Sequence, residues 1–310
     1  MGKGNVSKPA AYLVDSMDVH PFVPADIEAA LGRRYTVGPE IALGGQGAVF
    51  GATRTSRPDG TAANDVVALK LYLYPGQDSR AQREITATEN ISHPTLARLI
   101  EHGSCDVAGR PTRYVAWEFI DGQSLSDRLK SGPLLESEVL LIGRDVSAAI
   151  AEIWSQRIVH GDVKPSNIML RDSGGAVLID LGAARDLGQD NTLAARRPFG
   201  TLGYLSPEQA IGATLSCASD IFSLGVVLLQ SFLGQHPTDY DQNALGDGLR
   251  ASGRRLAVSP GLVCMLDTML SVRSSFRPSP AALSGYFQKY SKGWKRGLPM
   301  GARAPRKAQC

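Results

Sequence analysis

Clustered cysteines are missing from this sequence: Cys105, Cys217, Cys264 and Cys310 stand far apart, with no CxxC pair and no Cys/His group. Neither a disulfide framework nor a zinc site is indicated, and a reducing cytosol suits the cysteines. Long apolar runs are missing as well. The most hydrophobic stretch, Ile221 to Leu233, is interrupted by Gly225, Gln230 and two serines. It falls short of the roughly 20 residues that a membrane span requires and reads as a buried helix. The opening MGKGNVSKPA has no apolar segment of the signal-peptide kind, and Val6 stands where a myristoylation motif beginning at Gly2 requires Ser or Thr. There is no internal repeat.

Acidic residues are absent after Tyr290, where Lys292, Lys295, Arg296, Arg303, Arg306 and Lys307 gather. This stretch is read as a solvated, disordered tail over 291–310 in preference to a nucleic-acid or membrane contact, with no specific nucleic acid and no membrane span expected. The remainder is ordinary: 43% hydrophobic and 20% charged over 310 residues, with net charge +3, which describes a soluble globular protein able to bury a sizeable core.

Residues 1–33 read as a flexible lead-in holding one short helix, Pro24 to Leu31, with Asp26 and Glu28 near its start. From Tyr35 short β-like runs follow at Thr36–Ala42, Ala48–Thr53, Val66–Leu73, Leu96–His102 and Tyr114–Phe119. A charged helical stretch, Ser79 to Ile91, interrupts them. After Gly122 the periodicity turns helical: Leu125–Leu129, Glu136–Trp154, Ala218–Leu233, Gly261–Leu270 and Pro280–Tyr290. Strands return at Ile168–Leu170 and Val177–Ile179 around the turn Ser173-Gly174-Gly175. The pattern is α+β, a small β-rich lobe followed by a larger helical one.

Three motifs carry chemistry. Leu43-Gly44-Gly45-Gln46-Gly47-Ala48-Val49-Phe50 is a glycine cluster between two strands. Without side chains its N–H groups can approach phosphate oxygens, although a plain tight hairpin accounts for it equally well. Val67-Ala68-Leu69-Lys70 sets a lysine after apolar neighbours, with Glu84 on the helix beyond. The third is His160-Gly161-Asp162-Val163-Lys164-Pro165-Ser166-Asn167, followed by Ile179-Asp180-Leu181-Gly182. An Asp and an Asn five residues apart on a loop can face one nucleotide, the Asp meeting a hydroxyl proton and the Asn amide oxygen a metal. Asp180 adds the carboxylate that a hard cation such as Mg²⁺ prefers.

Together these residues resemble the eukaryotic-type (Hanks-type) protein kinase family, in its Ser/Thr branch and in bacterial style. The resemblance runs from Tyr35 to Tyr290 and implies a bilobal protein-kinase fold. The domain would cover 34–290, with an N-lobe to about 118 that carries one regulatory helix, a hinge at 118–122, and a C-lobe from 123. It implies ATP and Mg²⁺ as cofactors, with Mn²⁺ as an alternative, and Ser/Thr-bearing proteins as substrates. Lys70, braced by Glu84, would grip the α- and β-phosphates. Asp162 would be the base, Lys164 would stabilise the transferring phosphoryl group, and Asn167 and Asp180 would hold the metal. ATP would be lined by Ala42, Leu43, Gly44, Gly45, Gln46, Gly47, Val49, Ala68, Lys70, Ser124 and Met169. Its adenine would bond to the backbone of Glu118 and Ile120. Gly200 to Glu208 resembles the end of the activation segment, Asp220 the brace of the catalytic loop, and Arg277 the partner of Glu208.

The sequence departs from the family pattern at several places. Ala42 stands where the first phosphate-loop glycine usually lies, Leu181 replaces the Phe after the metal aspartate, and Trp117 occupies the gatekeeper position. Gly161 stands where members switched by activation-loop phosphorylation have Arg, so activity is expected without a phosphate there, at Thr192 or elsewhere. Two rival readings compete with a protein kinase. His160-Gly161-Asp162 also resembles small-molecule kinases of the aminoglycoside and choline type, against which Lys164-Pro165, Ser206-Pro207-Glu208, Asp220 and Arg277 weigh. A pseudokinase that binds partners without transfer is the other, against which the full set of lysine, base and metal residues weighs.

Overall fold

The computed structural model describes residues 22–44, 47–72, 78–89, 91–186, 200–213, 215–237 and 259–291. Gly45, Gln46, Thr192 and the basic tail beyond Ser291 lie outside the described residues.

The N-terminal lobe is a five-stranded antiparallel sheet. Its strands are β1 (Tyr35–Gly44), β2 (Gly47–Ser56), β3 (Ala62–Leu71), β4 (Leu99–Val107) and β5 (Arg110–Glu118), arranged β1-β2-β3-β5-β4. Alternation gives the sheet two different faces. One carries Phe50, Val67, Leu69, Leu71, Tyr114 and Ala116, all buried in one cluster. The other carries Val49 opposite Lys70 and Ala68 opposite Trp117. This second face meets α2 (Asp78–Thr88), whose Ala81 and Ile85 pack on Tyr72, Val115, Leu99 and Trp117.

The expectation of a flexible lead-in does not hold for residues 22–33. Helix α1 (Pro24–Ala30) begins with proline at its first turn, where no amide donor is needed, and lies on β1 and β4. Ile27 is 0% exposed and Leu31 3%, within the same cluster as Phe50 and Leu69. Burial of this kind is worth roughly 1.5–3 kcal/mol per large aliphatic side chain. Glu28 accepts a 2.7 Å bond from the Val37 N–H, and Glu101 on β4 takes Arg34, Arg54 and Tyr114 as donors. The strand periodicity also stops short at the β4–β5 hairpin. Its turn is Ala108-Gly109, both at positive φ (52° and 80°), with Asp106 accepting from the Gly109 N–H at 2.6 Å.

The C-terminal lobe is mainly helical. Helix α3 is Leu125–Leu129, α4 Glu136–Ser155, α5 Pro207–Ala210, α6 Cys217–Leu233, α7 Pro260–Met269 and α8 Pro280–Ser291. Along α4 the residues Val139, Ile142, Val146, Ala149, Ile150 and Ile153 are buried at three- and four-residue spacings, forming one stripe that packs on α6 and α8. Helix α6 starts at a Ser216 cap and stops at Gly234, whose φ of 73° favours glycine. Short strands frame the cleft: β6 (Gly122–Ser124), β7 (Ile158–Val159), β8 (Ile168–Arg171), β9 (Ala176–Leu178) and β10 (Arg185–Asp186). β6, β8 and β9 form one small sheet, and β7 pairs with β10.

Candidate active site

Lys70 sits on the cleft face of β3, and its position follows from strand parity. Leu69 and Leu71 enter the core, so the residue between them faces α2. Its Nζ donates to Glu84 Oε2 at 2.8 Å and to Asp180 Oδ1 at 3.2 Å. Glu84 is 1% exposed. Burial alone would lower the lysine pKa, but the two carboxylates outweigh it and hold the value above 10.5, so Lys70 is a cation. Asp180 responds in the opposite sense: burial raises it, and Lys70 with the Gly182 N–H brings it below 3.8. Asp180 itself has φ 62°, an uncommon backbone state for a non-glycine residue, and its side chain turns back to cap the short turn at Leu181–Ala183.

The loop from His160 to Asn167 is held from beneath by Asp220 on α6. Its two carboxylate oxygens accept from the His160 and Gly161 N–H groups, each at 2.8 Å. His160 is fully buried; its Nε2 donates to the Ile179 carbonyl at 3.1 Å while Nδ1 accepts from the Asp162 N–H at 3.2 Å. Pro165 opens a one-turn helix that brings Asn167 back over the loop, where Nδ2 donates to the Asp162 carbonyl at 2.9 Å.

Around Asp162 the donors converge. Oδ1 accepts from the Thr201 N–H at 2.9 Å and from its hydroxyl at 2.7 Å, and Oδ2 lies 2.8 Å from Lys164 Nζ. Lys164 also donates to Thr201 Oγ1 at 2.7 Å. Thr201, far along the chain, is thus locked to Asp162 and Lys164 together.

The residues expected around ATP are placed as follows. Val49, Ala68 and Lys70 share the cleft face of the sheet, and Met169 is half-buried on β8 between the core residues Ile168 and Leu170. Ala42, Leu43 and Gly44 end β1, with Gly44 paired to Gly47. A Cβ on Gly47 would come within 2.2 Å of the Leu71 carbonyl, and its φ is 151°, so only glycine lets the start of β2 lie this close to the end of β3. Glu118 ends β5; its N–H donates to the Arg98 carbonyl at 2.9 Å and its carboxylate pairs with Arg171 at 2.7 Å. Ile120 follows in the connection to β6 and is buried. Ser124 engages its hydroxyl in capping α3, accepting from the Asp127 N–H and donating to the Asp127 carboxylate. Trp117 packs beside α2, with its indole nitrogen buried.

Sequence reasoning does not single out Tyr72, Arg171, Gln209 or His236. Tyr72 donates to Glu84 Oε2, and Gln209, 2% exposed, donates to the Gly161 carbonyl at 3.1 Å. His236 donates from Nε2 to the Gly203 carbonyl at 3.2 Å and lies edge-on to Tyr204. Only Tyr72 leaves a signal in the sequence, standing two residues beyond Lys70 and so on the same face.

Residues 35–285 match the family model described as "Protein kinase domain". The chain belongs to the protein kinase family. The bilobal α+β architecture is that of this family, and no helix among the described residues is long and apolar enough to cross a membrane. Similar curated kinases are bacterial. The chain is 31% identical over 263 residues to serine/threonine-protein kinase PknB of Mycolicibacterium smegmatis, covering 81% of this chain and 42% of that protein. It is 31% identical over 209 residues to a probable serine/threonine-protein kinase PknB of Lactococcus lactis, covering 67% and 33% respectively. It is 33% identical over 215 residues to a probable serine/threonine-protein kinase of Corynebacterium efficiens, covering 67% and 32%. This kinase-family chain therefore spans 32–42% of the length of those relatives. Membership implies ATP and a divalent cation.

Proposed function

We propose that the chain is a serine/threonine protein kinase that transfers the γ-phosphoryl group of Mg-ATP to Ser/Thr hydroxyls of proteins. One observation carries this reading: Lys70 bridges Glu84 of the N-lobe and Asp180 of the C-lobe above a floor holding Asp162, Lys164 and Asn167.

In this reading Asp162 orients the substrate hydroxyl and takes its proton, and Lys164 stabilises charge on the phosphoryl group in flight. Lys70, held by Glu84, grips the α- and β-phosphates. Gly44 and Gly47, paired between β1 and β2, lie on their side of the cleft, and Val49, Ala68 and Met169 wall the adenine against the Glu118 and Ile120 backbone. Asn167 and Asp180 offer two hard oxygen donors, a set that fits Mg²⁺, with phosphates and water completing the shell and Mn²⁺ as an alternative. Bound there, the cation would neutralise charge on the phosphates. Since the protein performs little covalent chemistry, positioning and electrostatics supply the acceleration.

A protein rather than a small molecule is favoured as substrate by the ordered segment 200–213. Thr201 is tied to Asp162, and Glu208 to Arg277, which makes a platform beside the base. Gly161, with φ 77°, stands where a phosphate-sensing arginine would be, and Gln209 reaches its carbonyl. Both support activity without activation-loop phosphorylation. The bulk of Trp117 closes the space behind adenine, and the site of action is the cytoplasm.

The test is incubation of the purified chain with labelled ATP, Mg²⁺ and a generic basic protein, beside Asp162→Asn and Lys70→Met. Label on the protein with the native chain alone supports the reading. Nucleotide binding without transfer to any protein would make the chain a pseudokinase, and label on small alcohols alone a small-molecule kinase.

A further inference from the structure

A carboxylate as buried as Glu84 must be compensated by donors that stay with it. Lys70 is an incomplete partner, because the same ammonium already reaches Asp180 at 3.2 Å and has to serve the phosphates as well. The second donor is the Tyr72 hydroxyl, bonded to the same Oε2 that Lys70 approaches. Its ring centroid lies 5.2 Å from the lysine nitrogen. Tyr72 is 5% exposed and is pinned to β5 by a 3.0 Å bond from its own N–H to the Arg113 carbonyl, one residue after β3 ends.

We propose that Tyr72 is a positioning residue that holds the Glu84 carboxylate, and α2 with it, while Lys70 turns its donors to the phosphates of ATP. The inference rests on the kinase reading above. A neutral hydroxyl suits this role, because a second cation at this place would compete with Lys70 for phosphate, whereas a phenol satisfies the carboxylate and nothing else. Burial first, and the nearby Glu84 charge second, push the phenol pKa upward, so the group remains an O–H donor at neutral pH.

Tyr72→Phe removes only the oxygen. Two readouts are expected to change: KM for ATP rises about tenfold, the scale of one hydrogen bond to a charged group, while KM for the protein substrate stays within about twofold. In the nucleotide-free protein, amide hydrogen exchange along α2 becomes about tenfold faster, with the rest of the N-lobe unchanged. Glu84→Gln should accelerate the same amides, and Tyr72→Phe combined with Glu84→Gln should add nothing further, because Tyr72 acts through Glu84. Multiplying effects in the double variant would show that the tyrosine merely packs, and would overturn the proposal. So would an unchanged KM for ATP together with unchanged α2 exchange. A native chain without phosphoryl transfer defeats the kinase reading instead, and the exchange cycle, which needs no turnover, still decides the role of Tyr72.

Discussion

Arg277 holds Glu208 with two hydrogen bonds, 2.6 and 2.9 Å, across 69 residues of chain, and the arginine side chain is wholly shielded from solvent. It also donates to the carbonyls of Ser271, Ala218 and Val272, and lies 4.9 Å over the Phe222 ring. Removing it strands a partly buried carboxylate and three carbonyls. Arg277→Met should cost about 3–5 kcal/mol, read from the urea midpoint. A cost below about 1 kcal/mol would mean that solvent screens the pair as it does at a surface.

The same pair should write an acid limb into the stability curve. Burial would raise the Glu208 pKa, but the Arg277 bonds, the backbone at the start of α5 and Ser219 outweigh it and hold the carboxyl below 4.5. A value depressed by folding stabilises the native state fully above the unfolded pKa, and that contribution is lost as pH falls through the folded one. Stability measured downward from pH 4.5 should therefore fall more steeply in the native chain than in Arg277→Met. Parallel curves would show that Glu208 contributes nothing to the acid slope.

Asp220 uses both carboxylate oxygens on the His160 and Gly161 amides. An asparagine offers one acceptor and points an N–H₂ at the other amide. Asp220→Asn should lower kcat about ten- to a hundredfold, from roughly 1–3 kcal/mol of lost loop support, with nucleotide affinity retained. Steady-state kinetics beside nucleotide titration separate the two quantities, and a native kcat would contradict the assigned support.

Helix α1 should behave as part of the lobe. Ile27→Ala is expected to cost about 2–5 kcal/mol in urea unfolding, as for other fully buried aliphatic positions. A loss near zero would return this segment to the status of an appendage.

His236 supports the turn that follows Thr201. Burial lowers its pKa below 6.5, so the ring is neutral at pH 7 and its Nε2–H faces the Gly203 carbonyl. On the proposed reading, His236→Ala should raise KM for the protein substrate severalfold and leave KM for ATP unchanged, since Gly203 adjoins Leu202, which is 87% exposed and next to Thr201. His236→Gln, which keeps a donor, should recover part of the loss. Equal changes in both KM values would argue for general loosening.

On the proposed reading, Thr192→Ala should keep most of the phosphoryl transfer, because Gln209 joins helix α5 to the Gly161 carbonyl without needing a phosphate. Near-complete loss in a single-turnover assay would overturn this.

Much of the site is legible in the sequence because its residues lie in short contiguous stretches. His160 to Asn167 and Ile179 to Gly182 stand together in the sequence and resemble the family's motifs, and the cleft-facing place of Lys70 follows from the alternation of Val67, Leu69 and Leu71. Supports acting across the chain are harder to see. His236 and Gln209 look like ordinary loop and helix residues until the fold brings them to Gly203 and Gly161. The lead-in reads as flexible for a related reason: Ile27 and Leu31 make only half an apolar stripe, and what completes it is the far side of a sheet formed by later residues. The β4–β5 hairpin reads as too short because Ala108 gives no warning of a positive φ.

The two unlike faces of β3 tie this protein's tolerance to change to one strand. Adding or deleting a residue at the exposed bend 57–61 lengthens or shortens a loop and leaves the ladder in register. The same one-residue change inside β3 would send Lys70 into the oily interior and turn Leu69 or Leu71 toward Glu84 and Asp180. The core and the Lys70 bridge would then fail from a single event, so length variants should be found at the bend and not within the strand.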